Sequence, residues 1–290
     1  MSKKHSLTIS VVIPAYNEEE GIGEVILNTQ RALQKEGLPK EDTEILVVDD
    51  GSRDRTANLA EEAGATVVRH PTNMGYGKSL LTGFGQARHE WILMIDGDGS
   101  YPPEEIGKLL LKARDFDMVI GARQGTHFWG TPFQAFLRWI YLKIAKFVVG
   151  ERIPDANSGL RLIRRAALEG AFPVQCLGYS FSTTMTLSFL KLGRFVSFVP
   201  IEYHARRGVS KVRRLRDIPR TLQLMTQVIL YFNPLKLVVT IAFLPLGLAV
   251  VFGIFTWMHG TAYLGMALAS FYFSMLVFLL GCVLESLRYR

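Results

Sequence analysis

Cysteine is scarce in this 290-residue chain, with Cys176 and Cys282 its two examples, far apart. No disulfide framework and no zinc pattern follows from such a pair. The six histidines show no ligand spacing. A Gly-x-Gly-x-x-Gly run is missing after the first apolar segment, where Pro14-Ala-Tyr-Asn stands, so the dinucleotide fingerprint is absent. Gly75-Tyr-Gly-Lys-Ser79 resembles a phosphate loop, but Thr72 occupies the place of its obligatory first glycine. A calcium loop opening at Asp96 would need Gly and Glu where Tyr101 and Gly107 lie. The apolar run Ile9 to Ile13 is interrupted by Ser10 and stopped by Pro14. It is too short for a signal-peptide core, so the amino-terminal part is expected in the cytoplasm. Acidic residues are outnumbered, 26 against 33 Lys and Arg, for a net charge of +7. That balance suits nucleic acid, an anionic membrane surface or phosphorylated substrates.

What is present reads as an α/β domain. Trp91-Ile-Leu-Met-Ile95 is an apolar run bounded by turn residues, the mark of a strand buried on both faces of a parallel sheet. It runs directly into Asp96-Gly97-Asp98-Gly99. Strands are expected also at Thr8–Ile13, Glu44–Asp49, Ala65–Arg69 and Asp117–Gly121, with helices between them. Such alternation implies right-handed crossovers and a mostly parallel sheet. Asn17 is expected to cap the first helix, and Lys78 to Ala87 to form another.

Ligands in such sheets bind beyond the carboxyl ends of strands. Three acidic strand ends converge there: Tyr16-Asn17-Glu18, Asp49-Asp50 and Asp96-x-Asp98. An Asp-Gly pair alone is ordinary turn chemistry. Two carboxylates so close nevertheless repel unless a cation lies between them or one binds a proton. An oxygen-only pair suits Mg²⁺ or Mn²⁺, which bind one or two carboxylates together with substrate phosphates.

The carboxy-terminal part has a different character. From Leu237 to Leu284 there is no Asp, Glu, Lys or Arg. Leu235–Trp257 and Ala262–Leu284 each reach about 35 Å as helices, enough to cross a hydrocarbon core of about 30 Å. The connection Met258-His-Gly-Thr261 carries no Lys or Arg, whereas basic residues flank the outer ends. The positive-inside rule places both termini in the cytoplasm. Arg206 to Arg220 is strongly basic with one Asp. Its position before the apolar tail favours anionic headgroups or a lipid phosphate over nucleic acid. Phe133–Val149 mixes apolar residues with Arg138, Lys143 and Lys146 and could pack on the domain or lie in a membrane plane.

Taken with their order, these motifs resemble the family-two glycosyltransferases, in the polyprenyl-phosphate branch that includes dolichol-phosphate mannose synthase. The resemblance rests on Val12-Ile-Pro-Ala-Tyr-Asn-Glu18, Val47-Val-Asp-Asp-Gly-Ser52, Asp96-Gly-Asp98, Gly121-Ala-Arg123, Asp155-Ala-Asn-Ser-Gly-Leu-Arg161 and Arg206-Arg-Gly-Val-Ser-Lys211. It implies a GT-A, Rossmann-like domain over residues 1–215, a juxtamembrane amphipathic helix over 216–234 and a transmembrane hairpin over 235–290. Pro14, Tyr16, Glu18, Val48, Asp50, Asp96 and Gly97 would then hold a UDP- or GDP-sugar. Asp96 and Asp98 would hold Mg²⁺ or Mn²⁺. Arg123, Arg206 and Lys211 would act on the diphosphate or the acceptor phosphate, with Arg138 and Ser158 at the lipid phosphate. Ala205 stands where mannose synthases have an arginine, and Ser100 where a glutamine is frequent.

The implied reaction is metal-dependent, inverting transfer of a sugar to a polyprenyl phosphate at the cytoplasmic membrane face. Membrane lipids are the expected surroundings, and a homo-oligomer is compatible with the family. A glycan-extending enzyme of the same family and a non-catalytic nucleotide-sugar sensor are the alternatives. The first would need Gln-x-x-Arg-Trp late in the chain, and Gln134-Ala-Phe-Leu-Arg-Trp139 has one residue too many.

Overall fold

The apolar runs become strands of one mixed sheet in a computed structural model describing residues 7–171, 181–205 and 214–288. Its elements are β1 (Ile9–Ala15), α1 (Ile22–Lys35), β2 (Thr43–Asp49), α2 (Thr56–Glu62), β3 (Thr66–Arg69), α3 (Tyr76–Gln86), β4 (Trp91–Met94) and α4 (Ile106–Leu110). They continue with β5 (Met118–Arg123), α5 (Thr126–Trp129), α6 (Pro132–Val149), β6 (Arg161–Arg164), α7 (Phe181–Lys191) and β7 (Val196–Ile201). The strand order is β3-β2-β1-β4-β6-β5-β7. All pairs are parallel except those of β6, which runs antiparallel to both β4 and β5.

Helices cover both faces, which is why β4 is apolar throughout and β1 is apolar except for Ser10. On one face α1 lays Ile22, Val25, Ile26 and Leu33 against β1 and β4, joined by Ile106 and Leu109 of α4. On the other, Leu80 and Phe84 of α3 and Phe181, Met185 and Phe189 of α7 form the second core. Each fully buried aliphatic or aromatic side chain stabilises this arrangement by about 1.5–3 kcal/mol.

Two details differ from the sequence reading. Asn17 does not cap a helix: α1 begins at Ile22, and Asn17 takes a left-handed backbone with φ of 50°. Its N–H donates to Ser52 Oγ at 2.9 Å, and its Oδ1 accepts from the Arg53 N–H at 2.9 Å. The strands β6 and β7 were not expected.

The described residues divide between Leu224 and Met225 into two units. Helix α8 (Arg214–Phe232) precedes α9 (Pro234–His259) and α10 (Leu264–Arg288). Asn233 caps α9, its Oδ1 accepting from Lys236 N–H at 2.9 Å. Helices α9 and α10 form a hairpin in which Val238 packs onto Gly281 and Ser274 Oγ donates to the Ala242 carbonyl at 2.8 Å. Their outer faces expose Phe243, Leu244, Leu248, Phe273 and Leu276. Both helices are long and apolar enough to cross a membrane.

Candidate active site

Register brings the three acidic strand ends level. Ala15 pairs with Asp49, and Val12 pairs with Met94, which sets Asp96 beside Pro14. A cleft opens at this rim, lined by Pro14, Tyr16, Glu18, Asp50, Asp96 and Asp98 among others. Gly97 also borders it, with Ile13 and Ile22 beneath. Val48 is fully buried and packs toward Gly83 of α3.

Each aspartate of the Asp96-x-Asp98 pair accepts from a neighbouring hydroxyl. Asp96 Oδ1 accepts from the Tyr76 hydroxyl at 2.8 Å, and its carboxylate lies against the Cα of Gly159. Burial, and then the Asp96 charge, push the Tyr76 phenol well above its ordinary range, so it stays a donor. Asp98 Oδ1 accepts from Ser100 Oγ at 2.6 Å and from Ser100 N–H at 3.0 Å. Ser100, in the place of the family's glutamine, therefore fixes the second acid. Two carboxylates on a shared cleft, each accepting from a hydroxyl, form an oxygen donor set that fits a hard divalent cation.

Asp50, on the cleft wall, ties two loops together. Its Oδ1 accepts from Met74 N–H and from His70 Nδ1, and its Oδ2 from Gly75 N–H, each at 2.8 Å. Gly51 follows in a left-handed turn with φ of 73°, where an added Cβ would meet the Thr72 backbone at 2.8 Å. The loop after β2 and the loop before α3 thus lock together.

Arg123, at the end of β5, makes a bidentate pair with Asp155: Nε to Oδ2 at 2.7 Å and Nη2 to Oδ1 at 3.0 Å. Its guanidinium lies 5.2 Å from the Phe128 ring and 5.1 Å from the Tyr203 ring. Arg138 of α6 covers Phe128 at 4.3 Å, so two guanidinium groups share one aromatic ring. The Arg138 Nη1 is buried with no hydrogen-bond partner. Burial, and then the Arg123 charge, lower the Arg138 pKa. Two arginines with one carboxylate between them leave an excess of positive charge, which an anion would balance.

Ser158 is fully buried, its Oγ accepting from Leu160 N–H at 3.3 Å. Arg161 sits beneath that loop, donating to the Ser158 carbonyl at 2.8 Å and the Ala156 carbonyl at 3.0 Å. Burial holds the Arg161 pKa down at about 10. Arg206 and Lys211 lie outside the described residues. Tyr76, Phe128, Asp155 and Gly159 were not singled out as site residues from sequence, although Asp155 and Gly159 belong to a motif that was.

An acidic pair at the rim of a largely parallel sheet, on the same sheet as the Arg123–Phe128–Arg138 cluster, fits a GT-A, Rossmann-like fold. Among solved structures, glucosyl-3-phosphoglycerate synthase from Mycobacterium tuberculosis aligns with a TM-score of 0.63 at 24% identity, covering 78% of this chain and 81% of the other. The same synthase with Mn²⁺, uridine diphosphate and phosphoglyceric acid gives a TM-score of 0.61 at 22% identity, covering 78% and 80%. Residues 10–172 match the model of glycosyl transferase family 2, and the chain belongs to that family. It is a glycosyltransferase.

Its curated relatives include the undecaprenyl-phosphate 4-deoxy-4-formamido-L-arabinose transferase of Pseudomonas fluorescens, 31% identical over 84% of this chain and 71% of the relative. Another is the low-salt glycan biosynthesis hexosyltransferase Agl6 of Haloferax volcanii, 33% identical over 75% of this chain. The match spans about half of Agl6, 53% of its length.

Proposed function

We propose that this protein transfers a sugar from a nucleotide-sugar to a polyprenyl phosphate, giving a polyprenyl-phosphate sugar at the cytoplasmic face of a membrane. The observation that carries the reading is the pairing of two sites on one sheet rim. One is the Asp96 and Asp98 carboxylates in the cleft. The other is the Arg123–Phe128–Arg138 sandwich, with its buried unpartnered nitrogen. The first suits a metal-bound diphosphate and the second an acceptor phosphate. Relatives named for undecaprenyl phosphate support the acceptor, and the apolar α9–α10 hairpin supports a lipid substrate. The exposed Trp129, Phe133, Phe136 and Trp139 on α5 and α6 fit insertion at a bilayer surface beside that phosphate.

Asp96 and Asp98 would hold Mg²⁺ or Mn²⁺, which when bound neutralises charge on the departing diphosphate. Tyr76 and Ser100 keep the two carboxylates in place. Arg138 and Arg123 orient the acceptor phosphate, whose oxygen forms the new bond to the anomeric carbon as the bond to the diphosphate breaks on the opposite face. A phosphate monoester is largely ionised at pH 7, its second pKa lying near 6, so no strong general base is needed. Charge placement by the arginines carries the step.

Membranes containing the protein, given a panel of radiolabelled nucleotide-sugars, Mn²⁺ and undecaprenyl phosphate, should yield a labelled lipid extractable into organic solvent. Nucleotide-sugar binding without labelled lipid would favour the sensor reading, and label in a growing polymer the glycan-extending one.

A further inference from the structure

We propose that Tyr101 is a positioning residue that sets how far the acceptor phosphate stands from the diphosphate at Asp96 and Asp98. This deepens the proposed function and rests on it for the two substrates being brought together. Tyr101 is 2% exposed and does not line the cleft. It stands where the two half-sites meet. On the donor side it follows Ser100, whose hydroxyl and N–H hold Asp98. On the acceptor side its hydroxyl accepts from Gly159 N–H at 2.6 Å, in the loop that begins with Asp155. Its ring meets that of Tyr203 edge-on, with centroids 5.3 Å apart and planes at 62°. The Tyr203 ring in turn lies 5.1 Å from the Arg123 guanidinium, which Asp155 grips through two bonds. His204 N–H donates to the Ser100 carbonyl at 3.0 Å, so the same two segments are joined a second time through the backbone.

These contacts close a circuit that runs from Asp98 through Tyr101 to Arg123 and, through Gly159, back to Asp155. Burial pushes the Tyr101 phenol above its ordinary range, so the hydroxyl stays neutral. A neutral group can place Arg123 without cancelling the charge that the phosphate needs; a second carboxylate would compete for it. Phenylalanine at position 101 would fill the same space and leave the buried Gly159 N–H with no acceptor, which is costly. The loop would then shift, and Asp155 with Arg123 would shift relative to Asp98. In an in-line displacement the attacking and departing oxygens stand on opposite sides of one carbon, so an error in their spacing is felt in the transition state. Each half keeps its own contacts, Asp96 and Asp98 for the donor side, Arg123 and Arg138 for the phosphate. Binding therefore survives the change and turnover does not.

The test compares full-length Tyr101→Phe with the parent in membranes, using undecaprenyl phosphate, Mn²⁺ and the nucleotide-sugar that labels lipid in the panel assay. Its kcat should fall about tenfold or more, while the KM for each substrate stays within about twofold. Mn²⁺ alone, followed by electron paramagnetic resonance with the detergent-solubilised protein, should bind as it does to the parent. A purely structural role would move all of these together with the thermal midpoint. Tyr203→Leu should reproduce the split, and Tyr203→Phe, which keeps the ring beside Arg123, should retain clearly more turnover than Tyr203→Leu. Parent-like kcat in Tyr101→Phe overturns the inference and leaves the glycosyl-transfer reading intact, and so does a KM or Mn²⁺ affinity that worsens as much as kcat. Should Tyr101→Phe fail to fold, parent-like turnover in Tyr203→Leu overturns the inference equally. A parent that labels no lipid with any nucleotide-sugar overturns both.

Discussion

The carboxylate of Asp96 rests against the α-carbon of Gly159, so closely that a single methyl group there would occupy its space. The contact joins the end of β4 to the loop before β6. Gly159→Ala is therefore expected to displace Asp96 and reduce sugar transfer about tenfold or more, since small misplacement of reacting groups is costly. Weaker Mn²⁺ binding, read by electron paramagnetic resonance of the free ion, should accompany the loss. Unaltered transfer would show that Asp96 has room to move.

Asp98 is 9% exposed and tied to Ser100. Asp98→Asn should lower transfer to undecaprenyl phosphate by at least about 10²-fold, the scale of losing one electrostatic contact to developing charge. Its thermal midpoint should stay close to the parent's. Near-normal turnover would remove the metal from the mechanism.

The Arg123–Asp155 pair sets an acid limit on stability. Burial alone would raise the Asp155 pKa, but the Arg123 charge and hydrogen bonds, with Asn157 N–H, hold it below its ordinary 3.8. A depressed folded-state pKa contributes stability that is complete above the unfolded value and lost as pH falls through the folded one. Unfolding of the parent should thus ease as pH drops below about 4, and Asp155→Asn should flatten that limb. At pH 7 this variant should lose about 3–5 kcal/mol, the scale of a broken buried pair. Denaturant titrations at several pH values check both statements.

Arg138 should matter to the acceptor more than to the donor. Arg138→Gln is expected to raise the KM for prenyl phosphate roughly tenfold, the effect of losing one charge-assisted contact. The KM for nucleotide-sugar should move little. An equal rise in both would place Arg138 on the diphosphate.

In the apolar hairpin, a Cβ on Gly281 would meet Val238 Cγ1 at 2.8 Å. Gly281→Leu should separate α9 from α10 and make the detergent-solubilised protein markedly more sensitive to protease. Parent-like resistance would show that the helices tolerate a wider spacing.

The parallel core was legible because β1, β2 and β4 are largely apolar runs that lead into acid-bearing loops. Strand β6 was not, because Arg161-Leu-Ile-Arg164 is short and begins and ends in arginine. Arg161 is nevertheless fully buried, its guanidinium satisfied by carbonyl oxygens and by Thr186 Oγ1 at 2.8 Å. Strand β7 lies at the sheet edge, half-exposed and containing Pro200, so its alternation is weak. The acids of the cleft could be read from their spacing. Their holders, Tyr76 and Gly159, could not, since a phenol–carboxylate bond and a glycine contact between distant segments leave no local signature.

Strand β6 runs against its neighbours. The loops proposed to hold the nucleotide therefore trail behind β1, β2 and β4, while Asp155 to Gly159 leads into its own strand. On the proposed function, chain added or exchanged between Arg123 and Asp155 would remodel the wall over the proposed acceptor phosphate. A descendant could acquire a new recipient there and inherit its grip on the donor unchanged.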